Sequence, residues 1–281
     1  MTAADGEQPP RALSISVVVD RLRRLRRLVL ARADRLLPGQ DGPARIAQSA
    51  SYWADSSTPN WATNSHWRDG LEEGWNDIGL EHYARVRQAV RAAGGVETDQ
   101  GPEFGRVIEW GCGGGANAVV FAPRSRAFVA ADISESSLQE CRRQVGRVTD
   151  VPLTTVLIDS GHPEGALPTI GAGSIDLFLC FYVFELLPSE EYALRVLRLS
   201  QQLLAPGGVA EIQVKYRTQD RRTRSMSRSY ERNLARMTTF AIDEFWQEAA
   251  DIGFEPLFVQ LVPVNAFDER YAYFALRKPV A

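Results

Sequence analysis

Between Arg106 and Asp132 the chain reads RVIEWGCGGGANAVVFAPRSRAFVAAD, with a carboxylate at Glu109, glycines at Gly111, Gly113, Gly114 and Gly115, and a second carboxylate at Asp132. Glycines set this densely let the backbone bend sharply and offer its N–H groups with no side chain in the way, which is the chemistry of a ligand cradle. About twenty residues past the turn, Asp132 stands where an acidic side chain accepts hydrogen bonds from ribose hydroxyls. Two classes of cofactor use such a cradle. Gly111-x-Gly113-x-x-Ala116 fits the relaxed dinucleotide fingerprint, so a nicotinamide or flavin enzyme is one reading. Glu109 favours the other class, because a carboxylate two residues before the first glycine repels a diphosphate and attracts an amine or a sulfonium.

These residues need a strand, a turn, a helix and a second strand to position them. Val107, Ile108 and Trp110 are the β-branched and aromatic residues of a buried strand. Ala116, Ala118 and Val119 follow at helical spacing, small enough to start a helix close to the sheet with its positive end over the glycines. Ala127 to Ala131 forms the second strand, and strands and helices then alternate. Ser134 caps a helix that runs to about Gly146. Leu153 to Ile158 is a strand ending in Asp159 and Ser160, and Ser174 to Tyr182 is apolar enough for a central strand buried on both faces. Val183 to Pro188 opens a helix, Glu190 to Leu204 forms another, and Leu204-Ala205-Pro206-Gly207-Gly208 turns into strand Val209 to Tyr216. Helix Ile242 to Ile252 and strands Pro256 to Val262 and Tyr271 to Arg277 close the pattern.

From Gly105 to Pro279 this order resembles the class I S-adenosylmethionine (SAM) dependent methyltransferases. Glu109-x-Gly111-x-Gly113-x-Gly115 resembles their first motif, the stretch after Tyr182 their fourth, and L-x-P-G-G before the fifth strand is a frequent mark of the family. The resemblance implies an α/β fold, a Rossmann-like doubly wound seven-stranded sheet with its last strand antiparallel, carrying an N-terminal helical lid. It implies a SAM site at Glu109, Gly111, Cys112, Gly113, Asp132, Ile133, Asp159, Ser160, Cys180 and Phe181. In that site Asp132 holds the ribose, Asp159 meets the adenine amino group, and the residues after the fourth strand approach the methionine part.

Methyl transfer from a sulfonium is an in-line displacement, for which alignment and exclusion of water do much of the work; an oxygen acceptor also needs a base. The chain has three histidines, His66, His82 and His162. Many related enzymes carry V-L-E-H after the fourth strand, and here Leu186 occupies the histidine's position. His66, among the tryptophans, and His82, on the inward stripe Leu71, Trp75, Ile78, His82, Val86 and Ala89, are the expected catalytic residues. His82 reads equally as a core histidine, and His162 as a surface one. Glu185 or Tyr182 is expected to help bind the acceptor. Apolar Phe181, Val183 and Phe184 beside a lone Glu185 imply no metal, and the N-P-P-Y tetrapeptide of amino-directed methyltransferases is missing.

At 281 residues, 44% hydrophobic and 24% charged with a net charge of −3, the chain fits one α/β domain with an N-terminal appendage, not a globally basic nucleic-acid binder. Cys112, Cys141 and Cys180 form no C-x-x-C pair, which fits a reducing cytoplasm. The expected divisions are 1–43, a disordered start and a basic amphipathic helix from Asp20 to Leu37; 44–104, a helical lid holding Trp53, Trp61, Trp67 and Trp75; and 105–281, the core. The tryptophans either shape a lid or plug one face of the sheet. The N-terminal arginines either lie on a solvated helix or meet an anionic lipid, a lipid-linked substrate or RNA, so a membrane-associated protein is a second reading. Arg217 to Arg236 reads as a solvated loop or as a dock for an anionic acceptor. The reading these features favour is transfer of a methyl group from SAM to an oxygen of a small-molecule or glycan acceptor, free or lipid-linked, with nucleic acid not expected and oligomeric state open. RNA or protein methylation, a nicotinamide oxidoreductase and a non-catalytic partner subunit are the alternatives.

Overall fold

The computed structural model describes residues 29–30, 33–54, 72–95, 103–265 and 268–280. The chain divides into two compact units, Met1–Pro38 and Gly39–Ala281, and the site lies within the second. Most of the arginine-rich helix from Asp20 to Leu37, the start from Met1 to Pro10, Trp61, Trp67, the Trp75 side chain and His66 lie outside the described residues. Among the described residues no helix is long and apolar enough to cross a membrane.

Two helices, α1 (Gly42–Ala54) and α2 (Glu72–Ala92), precede the sheet. Then come β1 (Phe104–Trp110), α3 (Ala118–Phe121), β2 (Ser125–Asp132), α4 (Glu135–Val145), β3 (Leu153–Leu157), α5 (Leu167–Ile170) and β4 (Ile175–Cys180). The chain closes with α6 (Glu190–Leu203), β5 (Leu204–Lys215), α7 (Ile242–Ile252), β6 (Glu255–Val264) and β7 (Glu269–Arg277). The seven strands lie in the order β3-β2-β1-β4-β5-β7-β6, parallel through β5, with β7 antiparallel to both its neighbours. This is the sheet the sequence implies. Strand order reverses between β1 and β4, and in an open parallel sheet a ligand crevice forms outside the carboxyl ends of the strands at such a reversal.

Alternation along each strand builds two cores. Ile108, Phe178, Ala210 and Ile212 face α6 and α7, while Val107, Leu177, Leu179 and Val209 face α2, α3 and α4. Ile78, His82, Val86 and Ala89 of α2 are all buried, as the helical stripe predicts. Ser134 caps α4 by accepting a hydrogen bond from the Ser137 amide, also as expected.

One element comes out short and two local expectations change. The helix after the glycines is a single turn, because Pro123 opens a 3₁₀ turn at Ala122–Arg124 and the chain enters β2 directly. The L-x-P-G-G stretch is the extended start of β5, with a register shift in its pairing to β4 between Ile175 and Leu177. Val183 to Pro188 forms a 3₁₀ turn at Phe184–Leu186 in place of a longer helix.

One side chain is set against the fold. Alternation on β5 puts Glu211 on the α2 side, fully buried, with no hydrogen-bond partner for either carboxyl oxygen among the described residues. Burial pushes its pKa up to about 8, against the pull of the Arg85 charge. The unfolded chain ionises this group near the ordinary 4.5, so the folded state loses stability as pH rises from about 4.5 to about 8. Glu211→Met should therefore be more stable than the parent at pH 8, by about 1 to 3 kcal/mol, with the gap narrowing toward pH 5; urea melts at the two pH values measure it.

Candidate active site

At the carboxyl end of β1 the chain makes its turn by left-handed steps at Gly111, φ 76°, and Gly113, φ 49°. L-residues with side chains rarely adopt these angles. The Gly111 and Cys112 amides donate to Ala131 O at 2.7 and 3.2 Å, tying the turn to the end of β2. Asp132 then fixes it. Its Oδ2 accepts from the Gly113 amide and its Oδ1 from the Ser134 amide, both at 2.9 Å. Burial raises the Asp132 pKa to about 6, against the pull of these bonds.

Glu109, the last residue but one of β1, is 2% exposed. Its Oε1 accepts from Asn117 Nδ2 at 2.6 Å, while Oε2 has no hydrogen-bond partner among the described residues. Burial drives its pKa up to about 8, the Asn117 bond opposing and the Asp132 charge adding to the rise. Behind Asn117 stands His82 of α2, with Nδ1 2.7 Å from Asn117 Oδ1 and its ring stacked on Phe181 at 4.0 Å and 12°.

Glu109, Asn117, Asp132 and the glycine turn border a cavity of about 400 Å³, within the range of small-molecule pockets. Glu109 to Gly114, Asp132, Ile133, Ile158 and Ser160 form one wall, and Phe181 to Val183 with Glu185 to Pro188 another. Ile46, Ser49 and Trp53 of α1, with Tyr230, Leu234 and Ala235, cover it, and Asp268 and Tyr271 complete the rim. The cover is bonded to the wall, since Trp53 Nε1 donates to the Tyr230 hydroxyl at 2.9 Å, which donates to Leu186 O at 2.7 Å.

Glu185 faces this space. It is 2% exposed, and its Oε2 has no hydrogen-bond partner among the described residues. Burial raises its pKa to about 7, with its own amide and the Lys215 charge pulling the other way. Lys215 is itself buried and ion-paired with Asp268. Just before Glu185, Tyr182 holds a left-handed φ of 56°, and its amide is taken by the Gln213 side chain. Strain of this kind persists only where the surroundings enforce it.

The structure therefore brings together Glu109, Gly111, Cys112, Gly113, Asp132, Ile133, Ser160 and Phe181 on one cavity. Other expected residues fall elsewhere. Asp159 is exposed, its Oδ1 accepting from the Gly161 amide at 2.8 Å, and the wall at that strand end is Ile158 and Ser160. Cys180 is fully buried in the core under the wall. His82 lies behind Asn117 and Phe181, off the wall, and His162 is exposed. Asn117, Tyr230, Asp268 and Tyr271 were not singled out by the sequence. For Asn117 the signal was there: a polar residue placed between the alanines that pack onto the sheet needs a buried partner.

The arginine-rich stretch from Arg217 to Arg236 is solvated at Arg221, Arg222, Arg224, Arg232 and Arg236, but its apolar residues fold it onto the domain. Met226, Tyr230 and Met237 are buried against Tyr52 and Trp53, and Arg217 bonds Glu190 at 2.9 Å and pairs with Glu244. Among the described residues no arginine or lysine lines the cavity.

A family model described as Methyltransferase domain matches residues 80–258. No curated protein sequence matches the chain. Among solved structures, a SAM-dependent methyltransferase from Leishmania major is similar with a TM-score of 0.59 at 12% identity, over 83% of this chain and 82% of that one. Magnesium protoporphyrin IX methyltransferase from Synechocystis PCC 6803 with bound S-adenosylhomocysteine (SAH) is similar with a TM-score of 0.57 at 14% identity, over 83% of this chain and 99% of that one. The same enzyme with bound SAM gives 0.56 at 16% identity, over 86% and 99%. At these identities the likeness is one of fold.

The turn is closely packed as well as left-handed. A Cβ on Gly111 would run into the Val183 side chain. Gly111→Ala should destabilise the chain by about 1 to 3 kcal/mol, read from urea melts, whereas Gly165→Ala, where a Cβ meets nothing, should stay within about 0.5 kcal/mol of the parent.

Proposed function

The chain belongs to the Methyltransferase domain family and its cofactor is S-adenosyl-L-methionine, and on that premise we propose that it methylates an oxygen of a small-molecule or glycan acceptor held under the α1 cover. Its residues fit the cofactor. Glu109, a buried carboxyl group with one oxygen that has no partner among the described residues, lines the cavity, and at Gly113 a Cβ would meet only open space. Glu109 would meet the amino group, Asp132 the ribose, and Ile158 with Ser160 the purine side. Asp132 can do this while keeping its backbone bonds, since each carboxylate oxygen has a second lone pair. Bound there, the cofactor supplies a methyl group on a positively charged sulfur.

The observation that carries the acceptor reading is Glu185, a buried carboxyl group on the wall of a covered, aromatic cavity, with no hydrogen-bond partner for its Oε2 among the described residues. It accepts at Oε2 the proton that an acceptor hydroxyl loses as its oxygen is alkylated. Trp53 and Tyr230 keep water out and offer flat apolar faces, which suits a hydroxyl on an organic ring. A cavity of this volume beneath a bonded cover, with carboxylates on its wall, disfavours a nucleic-acid strand or a folded protein as acceptor.

Transfer of radiolabel from methyl-labelled SAM to a panel of phenols, alcohols, sugars and amines tests this, and label appearing only in amines would sink the oxygen assignment. On a working acceptor, Glu185→Gln should cut kcat by roughly 10²-fold or more and leave SAH affinity unchanged. The parent rate should rise with pH through about 7, where Glu185 becomes ionised, and the Gln variant should lose that limb.

A further inference from the structure

Among the described residues His82 is the one histidine buried beside the cradle, yet Asn117 and Phe181 stand between it and the cavity. Its position has a different use. Asn117 bonds Glu109 through Nδ2 and His82 through Oδ1, at 2.6 and 2.7 Å. An amide has one donating and one accepting end, so with Nδ2 committed to the carboxyl group, Oδ1 needs a donor, and His82 supplies it from Nδ1. Turned over, the amide would set its oxygen against Glu109 Oε1, which repels it once the carboxyl group is ionised by the bound ammonium. The stack on Phe181 holds the imidazole in place.

We propose that His82 is a positioning residue for the cofactor, acting through Asn117 to hold the Glu109 carboxyl group where the cofactor's amino group meets it. The proposal rests on the cofactor reading above and assigns His82 a role outside proton transfer to the acceptor. The relay ties four elements together: Glu109 on β1, Asn117 in the turn, His82 on α2 and Phe181 after β4.

A proton count follows. Among the described residues the titratable groups whose charge acts on Glu109 or on which its charge acts are Asp132 of β2, the Cys112 thiol of the turn and the Cys180 thiol of β4, with His82 of α2 one residue further off behind Asn117. Burial keeps the Glu109 carboxyl protonated until about pH 8. An ammonium group bound against it ionises it, so at neutral pH binding releases a proton. Affinity then rises by roughly tenfold per pH unit toward pH 8 and levels off above it.

Calorimetry on the full chain near pH 7, in buffers of different ionisation enthalpy, tests the proposal with two ligands: SAH, and 5′-methylthioadenosine, which lacks the amino-acid end. SAH should bind the parent with release of close to one proton, and methylthioadenosine without release. His82→Phe, which keeps a ring on Phe181 but cannot donate, should weaken SAH about tenfold and leave methylthioadenosine unchanged. Asn117→Leu should do the same by breaking the relay at its middle, and His82→Gln, which can donate, should restore most of the SAH affinity. Equal SAH affinity in His82→Phe and the parent would overturn the proposal, as would parallel loss of both ligands, the mark of a residue that only packs. No proton release by the parent would overturn it too. If SAH fails to bind the parent, the cofactor reading itself falls, a result distinct from loss of selectivity in the variants.

Discussion

The carboxylate of Asp132 is the tie on which the site depends. It ends β2, yet it bonds the amide of Gly113 in the turn after β1 and the amide of Ser134 at the start of α4. A glycine turn with left-handed angles has little conformational preference of its own, and fixing it costs entropy. The two bonds from one buried side chain offset that cost and hold the turn open. The strand reversal between β1 and β4 supplies the space above it, so the crevice and its cradle arise from one topological fact and one carboxylate.

The same end of the sheet gathers acidic groups that the fold alone would not choose. Glu109 and Glu185 are each buried with one unbonded oxygen, and burial raises the pKa of both. Unpartnered buried carboxyls are destabilising, and their concentration beside one cavity, next to the strained Tyr182, marks where stability yields to binding and chemistry. Two of them play separate parts because their surroundings differ. Glu109 is steered by an amide and a histidine from the α2 side, whereas Glu185 feels the Lys215 charge across the β5 end of the cavity.

The cover comes from two places far apart in sequence. α1 contributes Trp53, and the segment between β5 and α7 contributes Tyr230; the tryptophan donates to the tyrosine, which in turn donates to the backbone after β4. Ser229 and Tyr230 amides further bond the side chains of Gln40 and Gln48 at 3.0 and 3.3 Å. Arginines make this segment look like a solvated run, but its apolar residues Met226, Tyr230 and Met237 are spaced among them and bury together against α1. Charge density on one side of a segment says nothing of what the other side packs on.

What the sequence by itself determined was what local pattern encodes. Period-two and period-3.6 spacing gave the strands and helices, glycine density gave the cradle, and Glu109 with Asp132 gave the polarity of the ligand, because each of these depends on residues close in the chain. The one-turn length of α3 was also local, written in Pro123. Only the tertiary structure decided which polar side chains meet. Asn117 lies between Glu109 and His82, which are 27 positions apart, and Tyr230 closes over Leu186 from 44 residues downstream. It also turned Asp159 into its own loop, where the Gly161 amide takes the carboxylate, and set His82 behind the wall instead of on it. Such pairings are settled by the register of neighbouring strands and by which helix covers which face, and neither leaves a mark on the spacing of residues along the chain.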